Sequence, residues 1–224
     1  LMKRVSLIVF CLFAAVAAIA AEFSIENESM RRTLAIENGR LFTKAIQNKQ
    51  AEIAAIPTAC DEFRLRLSQG THVEGTDVVL TAADFEASHL SGSSSTQVFE
   101  LKNRKHALTV EVRYELAADE FFAHKQLVVT AAKPITLERI DVEAIAFADA
   151  NQPYKLKVIN SRGKWSPGLG QPLYTTDTAT FWGIEFPAAF NYVDGDRMFA
   201  GYLWGYELKP GVPYESKKAV VGVA

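Results

Sequence analysis

The residues best suited to chemistry cluster in the C-terminal third of this 224-residue chain. All three tryptophans, Trp165, Trp182 and Trp204, fall there, interleaved with glycine, proline and tyrosine. Aromatic faces beside polar groups suit sugars: the C–H face of a pyranose stacks on the ring while amides and carboxylates take the hydroxyls. Trp165 stands among Gly163, Ser166, Pro167 and Gly168, a loop composition in which a large ring has little core to fill. Together with Asn191 and Tyr192 it leads the candidates for sugar contact, followed by Trp182 and Trp204. The same rings would also serve as the filling of a sandwich core, and for each tryptophan that reading stands beside the ligand one.

Other catalytic constellations are missing. The four histidines, His72, His89, His106 and His124, are well separated, without metal-ligand spacing. There is no Gly-x-Ser-x-Gly elbow for a hydrolase serine. Gly168-Leu169-Gly170 is too short for a dinucleotide fingerprint, and nothing resembles a P-loop. Cys60 precedes Asp61 and Glu62, whose negative charge disfavours a thiolate. Asp194-Gly195-Asp196 reads as a turn between strands rather than a calcium loop. Glu185, flanked by Ile184 and Phe186, reads as a strand carboxylate. No catalytic residue, cofactor site or metal ligand is assigned.

The elements that must position these residues are strands. Residues 33–36 meet Asn38-Gly39, the strongest short hairpin signal, and residues 40–46 return. Phe63, Leu65 and Leu67 alternate with Arg64, Arg66 and Ser68, and Leu108, Val110, Val112, Tyr114 and Leu116 alternate with polar neighbours. Residues 135–147 change phase near Arg139-Ile140, which one β-bulge would explain. Ser91-Gly92-Ser93-Ser94-Ser95 reads as a hairpin tip, and residues 43–59 as the best candidate for a short helix. With polar turns between roughly ten or more such strands, the class is all-β, a two-sheet sandwich or a barrel.

The N-terminus reads as an export signal. Lys3 and Arg4 precede an uncharged apolar run, and Ala18-Ile19-Ala20 supplies the small residues of a cleavage site. Residues 1–21 are therefore expected to be a signal peptide and residues 22–224 the β domain, secreted or periplasmic, with no stable membrane anchor after cleavage. Cys11 lacks the small residues that precede a lipidated cysteine, so only Cys60 remains and no internal disulfide can form. The 24 basic residues fall to 22 without Lys3 and Arg4, against 26 acidic ones, a net charge of −4. With no basic block, nucleic acid is excluded as a partner.

Several short motifs carry a family resemblance. Gly170-Gln171-Pro172, the run Phe181-Trp182-Gly183-Ile184-Glu185-Phe186-Pro187-Ala188-Ala189, Asn191, Pro210-Gly211 and the run from Ser216 to Ala224 resemble the end of the N-terminal β domain of multidomain glycoside hydrolases, of the α-galactosidase (melibiase-like) group. Elsewhere only strand pattern and length agree. The resemblance implies a large two-sheet antiparallel β-sandwich, a supersandwich similar to the galactose-mutarotase fold, with few short helices. It also implies a (β/α)8 barrel directly downstream that carries both catalytic carboxylates, so that the partners are carbohydrate and that domain, with no cofactor. The apolar run ending at Ala224 fits a chain expected to continue. The alternatives are a stand-alone carbohydrate-binding (lectin-like) module, a mutarotase-like epimerase with a histidine acid and a glutamate base in one cleft, and an envelope scaffold without a ligand.

Overall fold

Side chains alternate between core and more open positions along residues 96–103, 108–115 and 122–127 of the computed structural model, which describes residues 21–68, 78–151, 158–159, 165–166 and 170–224. The chain opens with β1 (Ala21–Glu26), β2 (Met30–Glu37), β3 (Arg40–Asn48) and β4 (Ile53–Ala55). Next come β5 (Ala59–Ser68), β6 (Val78–Thr81), a single 3-10 turn at Ala82–Asp84, β7 (Glu86–Gly92), β8 (Thr96–Asn103) and β9 (Leu108–Glu115). They are followed by β10 (Phe122–Ala131), β11 (Ile135–Ala146), β12 (Ala150–Asn151), β13 (Val158–Ile159), β14 (Trp165–Ser166) and β15 (Leu173–Thr175). The last are β16 (Thr180–Ile184), β17 (Tyr192–Asp194), β18 (Arg197–Leu208), β19 (Tyr214–Glu215) and β20 (Ala219–Val223).

These strands form an all-β, antiparallel sandwich. One sheet has nine strands, in the order β12-β15-β16-β20-β10-β9-β8-β7, with β19 also paired to β10. A five-stranded sheet runs β17-β18-β11-β5-β6, a four-stranded meander runs β1-β2-β3-β4, and β13 pairs with β14. The inward residues of β5 (Phe63, Leu65, Leu67) and β11 (Ile140, Val142) join those of β9 (Val110, Val112) and β10 (Leu127, Val129) in one contiguous core. The terminal apolar run is a central strand: β20 lies between β16 and β10.

Local chemistry explains the turns. Asn38 and Gly39 both have positive φ, 52° and 73°, the type I′ geometry that matches strand twist, and they close the β2–β3 hairpin. At the β7–β8 tip the Ser93 hydroxyl accepts from the N–H groups of Ser95 and Thr96, both at 3.2 Å. Asp194-Gly195-Asp196 turns between β17 and β18, with Gly195 at φ 64°. Residues 43–59 are not helical. They finish β3, turn and form β4, because the Asn48 side chain accepts from the N–H groups of Gln50 and Ala51 (3.1 and 3.0 Å) and so competes with helix initiation.

Strand β11 carries the expected irregularity twice. Against β18 its register slips between Leu137 and Arg139 and again between Asp141 and Glu143; against β5 it slips between Leu137 and Arg139, between Asp141 and Ala144, and between Ala144 and Ile145. An extra residue rotates the side chains that follow it to the other face. Arg139 and Asp141 therefore share the outer face with Arg66 and Arg64 opposite them on β5, whereas Glu143 turns inward. On β5 the same inversion occurs at Glu62, which adopts φ 62° beside the second slip and also faces the core.

Candidate functional site

The outer face of the five-stranded sheet holds a cavity of about 370 Å³, lined by Arg64, Arg66, Val79, Arg139, Phe190, Tyr192 and Leu203. Strand register builds it: Val79, Arg66, Arg139 and Leu203 stand in one row across β6, β5, β11 and β18. Beneath lies Asp141, nearly covered, which accepts from Nε of Arg139 (2.7 Å) at one oxygen and from Nε of Arg64 (3.0 Å) at the other. One carboxylate thus fixes two guanidinium groups. Burial alone would lower the pKa of Arg64, but Asp141 and then Tyr192 raise it above the ordinary arginine value.

The aromatic walls hold the same groups. The Arg64 guanidinium lies 4.0 Å from the Phe199 ring centre and donates from Nη2 to the Tyr192 hydroxyl. Arg139 sits 5.1 Å from the Tyr192 ring and 5.3 Å from the Phe190 ring, and its Nη2 donates to the Phe190 carbonyl at 2.9 Å. Guanidinium on an aromatic face contributes about 0.5–2 kcal/mol according to its desolvation. Nη1 of neither Arg64 nor Arg139 donates to any of the described residues. The floor also depends on Gly201, opposite Asp141 on β18. A Cβ there would lie well inside van der Waals contact of the Ile140 carbonyl and the Asp141 carboxylate. Gly201→Ala is therefore expected to cost about 1–3 kcal/mol and to displace Asp141, a loss that chemical denaturation would read.

Of the residues singled out from sequence, Tyr192 lines this cavity and Asn191 stands behind it. Asn191 is 2% exposed. Its Nδ2 donates to the Gln171 carbonyl (2.7 Å) and its Oδ1 accepts from the Gly201 N–H (3.2 Å). It anchors the segment carrying Phe190 and Tyr192 and offers no free amide to a sugar. Trp182 is a core residue, 1% exposed, its indole N–H donating to Thr180 Oγ1 (3.1 Å) and its ring packed on Phe147. Trp204 is half-buried in a separate aromatic group with Tyr206 and Tyr214, ring centres 4.9 and 4.7 Å away. Trp165 is placed by its backbone alone, in β14 opposite Ile159, and its side chain lies outside the described residues. So does His72. The structure therefore does not gather the aromatic candidates into one site. The arginines were not singled out, although the outward phase of Arg64 and Arg66 and the break at Arg139 were the signals that mark them.

A second charged group is sealed within the core. Arg32 on β2 donates from Nη1 to Glu143 (2.6 Å) and from Nη2 to Glu62 (3.1 Å), and Lys125 on β10 lies 3.2 Å from each of those carboxylates. Thr43 N–H (2.9 Å), Cys60 Sγ (2.9 Å) and the Tyr114 hydroxyl also donate to Glu62. Two cations face two anions, all at 0–2% side-chain exposure, so no substrate reaches them. Burial would raise the Glu62 pKa, but Lys125 and Arg32 outweigh it and hold the carboxyl far below the usual range. Burial and then Glu62 push the Cys60 thiol and the Tyr114 hydroxyl well up, so both remain donors. The raised thiol pKa disfavours a thiolate at Cys60.

Among histidines, His124 on β10 meets Glu185 at 3.1 Å on the outward side of the nine-stranded sheet, remote from the arginine cavity. Among the described residues no histidine and no carboxylate lines that cavity, and no group of three His, Cys, Asp or Glu side chains is placed to hold a metal ion.

No protein-family profile and no curated protein sequence matches the chain. Solved structures do. An α-galactosidase from Lactobacillus brevis aligns over 91% of this chain and 39% of its own, with a TM-score of 0.57 at 10% identity. A putative aldose 1-epimerase from Escherichia coli aligns over 92% of this chain and 100% of its own, with a TM-score of 0.51 at 10% identity. A galactose mutarotase-related enzyme from Lactobacillus acidophilus aligns over 91% and 98%, with a TM-score of 0.51 at 9% identity. The chain has the galactose-mutarotase-like β-sandwich fold found in these proteins, and it spans about two fifths of the α-galactosidase length.

Proposed function

We propose that this chain is the non-catalytic β-sandwich domain of an exported glycoside hydrolase of the α-galactosidase kind, contributing a saccharide-binding face to carbohydrate degradation. The observation that carries the reading is the extent of the fold match: nearly the whole chain corresponds to about two fifths of an α-galactosidase, leaving the remainder of such an enzyme to supply the chemistry. The arginine and aromatic cavity supports a sugar-contacting role, since planar donors and ring faces are the two elements of saccharide recognition. Tyr206, exposed on β18 and packed against Trp204, gives a following domain aromatic surface to pack on. Export rests on the N-terminal sequence.

A stand-alone carbohydrate-binding module is the second reading. It is favoured by the alignments that cover 98–100% of two mutarotase-related proteins, in which this fold makes up nearly the whole chain. An epimerase is less well supported, because His124 and Glu185 lie on a different sheet face from the cavity.

Titration calorimetry with neutral and acidic saccharides tests the binding role. Binding is expected, with Tyr192→Ala weakening it about tenfold, a loss of about 1.4 kcal/mol, when both proteins are titrated well below their melting transitions. The isolated chain should leave aryl α-galactosides intact. If no saccharide binds, the reading fails; if the purified chain itself turns over aryl galactosides, the active site has been misplaced.

A further inference from the structure

We infer that the cavity on the five-stranded sheet selects saccharide units bearing a carboxylate, uronic acids, over their neutral counterparts; the inference rests on the saccharide-binding role proposed above. Arg64 and Arg139 share the single carboxylate of Asp141, so this trio carries one positive charge in excess. A neutral hexose gains little from such an excess, whereas a carboxylate neutralises it. The Nη1 group of each arginine is free of the described residues. Planar guanidinium donors match a carboxylate fork in geometry as well as charge.

Pre-organisation strengthens the case. The Arg139 side chain is 8% exposed yet lines the cavity. Asp141, the Phe190 carbonyl and two rings hold it, so little rotamer freedom is lost when a ligand arrives. With few waters around it, its charge is less screened than that of a surface arginine. Tyr192 and Phe190 supply ring faces beside the cation for the C–H face of the same sugar. The volume of about 370 Å³ is at the small end for ligand sites, which fits a single sugar unit or the end of a chain rather than an extended polymer.

The decisive comparison uses the unaltered protein. Calorimetric titration would set galacturonic and glucuronic acid, with short oligouronides, against their methyl esters and the corresponding neutral sugars. The acids are expected to bind about tenfold or more tightly than the esters, a difference of about 1.4 kcal/mol, and to lose that margin as salt rises. Arg139→Gln should abolish the preference, while Arg104→Gln, on the rim of a different depression, should leave it intact. Equal affinity for acid and ester would overturn the uronate inference while leaving the saccharide reading standing. Binding of neutral sugars alone would do the same. Binding of sulfate or citrate without any saccharide, or of nothing at all, would overturn both.

Discussion

Glu62→Gln is expected to lower the unfolding free energy by about 3–5 kcal/mol, the usual penalty for removing one partner from a buried ion pair. The substitution keeps size and shape but withdraws the charge on which Arg32, Lys125, Tyr114, Thr43 and Cys60 converge. Arg32 and Lys125 would then share Glu143 alone, leaving one positive charge without compensation in the core. Backbone strain does not account for the loss. Glu62 has φ 62°, a left-handed conformation that costs a non-glycine residue about 1–2 kcal/mol, and Glu62→Gln leaves it in place. Glu62→Gly would relieve that strain while removing the carboxylate, and should still be destabilised because the ionic loss is larger. Urea denaturation of the two variants separates the terms, and a loss below about 1 kcal/mol for Glu62→Gln would refute the network's role.

The same residue predicts the acid limb of the stability curve. Its folded-state pKa is depressed below the ordinary 4.5, so below that pH the unfolded chain binds the proton more readily than the native one. The stabilisation from Glu62 is thus complete above pH 4.5 and is lost as the pH falls toward the folded-state value, in strong acid. Wild type should lose stability steeply there. Glu62→Gln, with nothing to protonate at this position, should start lower and show a shallower slope.

Much of the architecture was legible because period-two alternation is a direct consequence of a strand buried on one face. Val110, Val112 and Tyr114 of β9 are covered as the pattern required, and Asn38-Gly39 turns as its backbone preferences demand. The site was less legible because it depends on where alternation fails. One bulge aligns Arg139 with Arg66, a second turns Glu143 inward, and a left-handed Glu62 does likewise on β5. Sequence marked one phase break in β11 but could not say which charges it would place together. The buried network draws on β2, β3, β5, β9, β10 and β11, and pairings so distant in sequence leave no local trace. The aromatic cluster misled for a related reason: Trp182 and Tyr192 stand near one another in sequence, yet belong to different sheets.

Trp182→Ala is the second large effect, and it separates a core tryptophan from a sugar platform. The ring sits on β16, between β15 and β20, is almost fully covered, packs on Phe147 and uses its N–H on Thr180. Truncation removes the largest fully buried side chain among the described residues. Loss of the transfer free energy together with the cavity left behind is expected to cost about 3–5 kcal/mol. For a chain of this size about 2–4 °C of melting temperature corresponds to each kcal/mol, so thermal melts should shift by roughly 10 °C. Saccharide affinity of the fraction that stays folded, measured well below the transition, should match wild type, because the arginine cavity is on the other sheet. A sugar platform would give the reverse pattern, an unchanged melt and a lost titration, and finding it would remove Trp182 from the core and return it to the site.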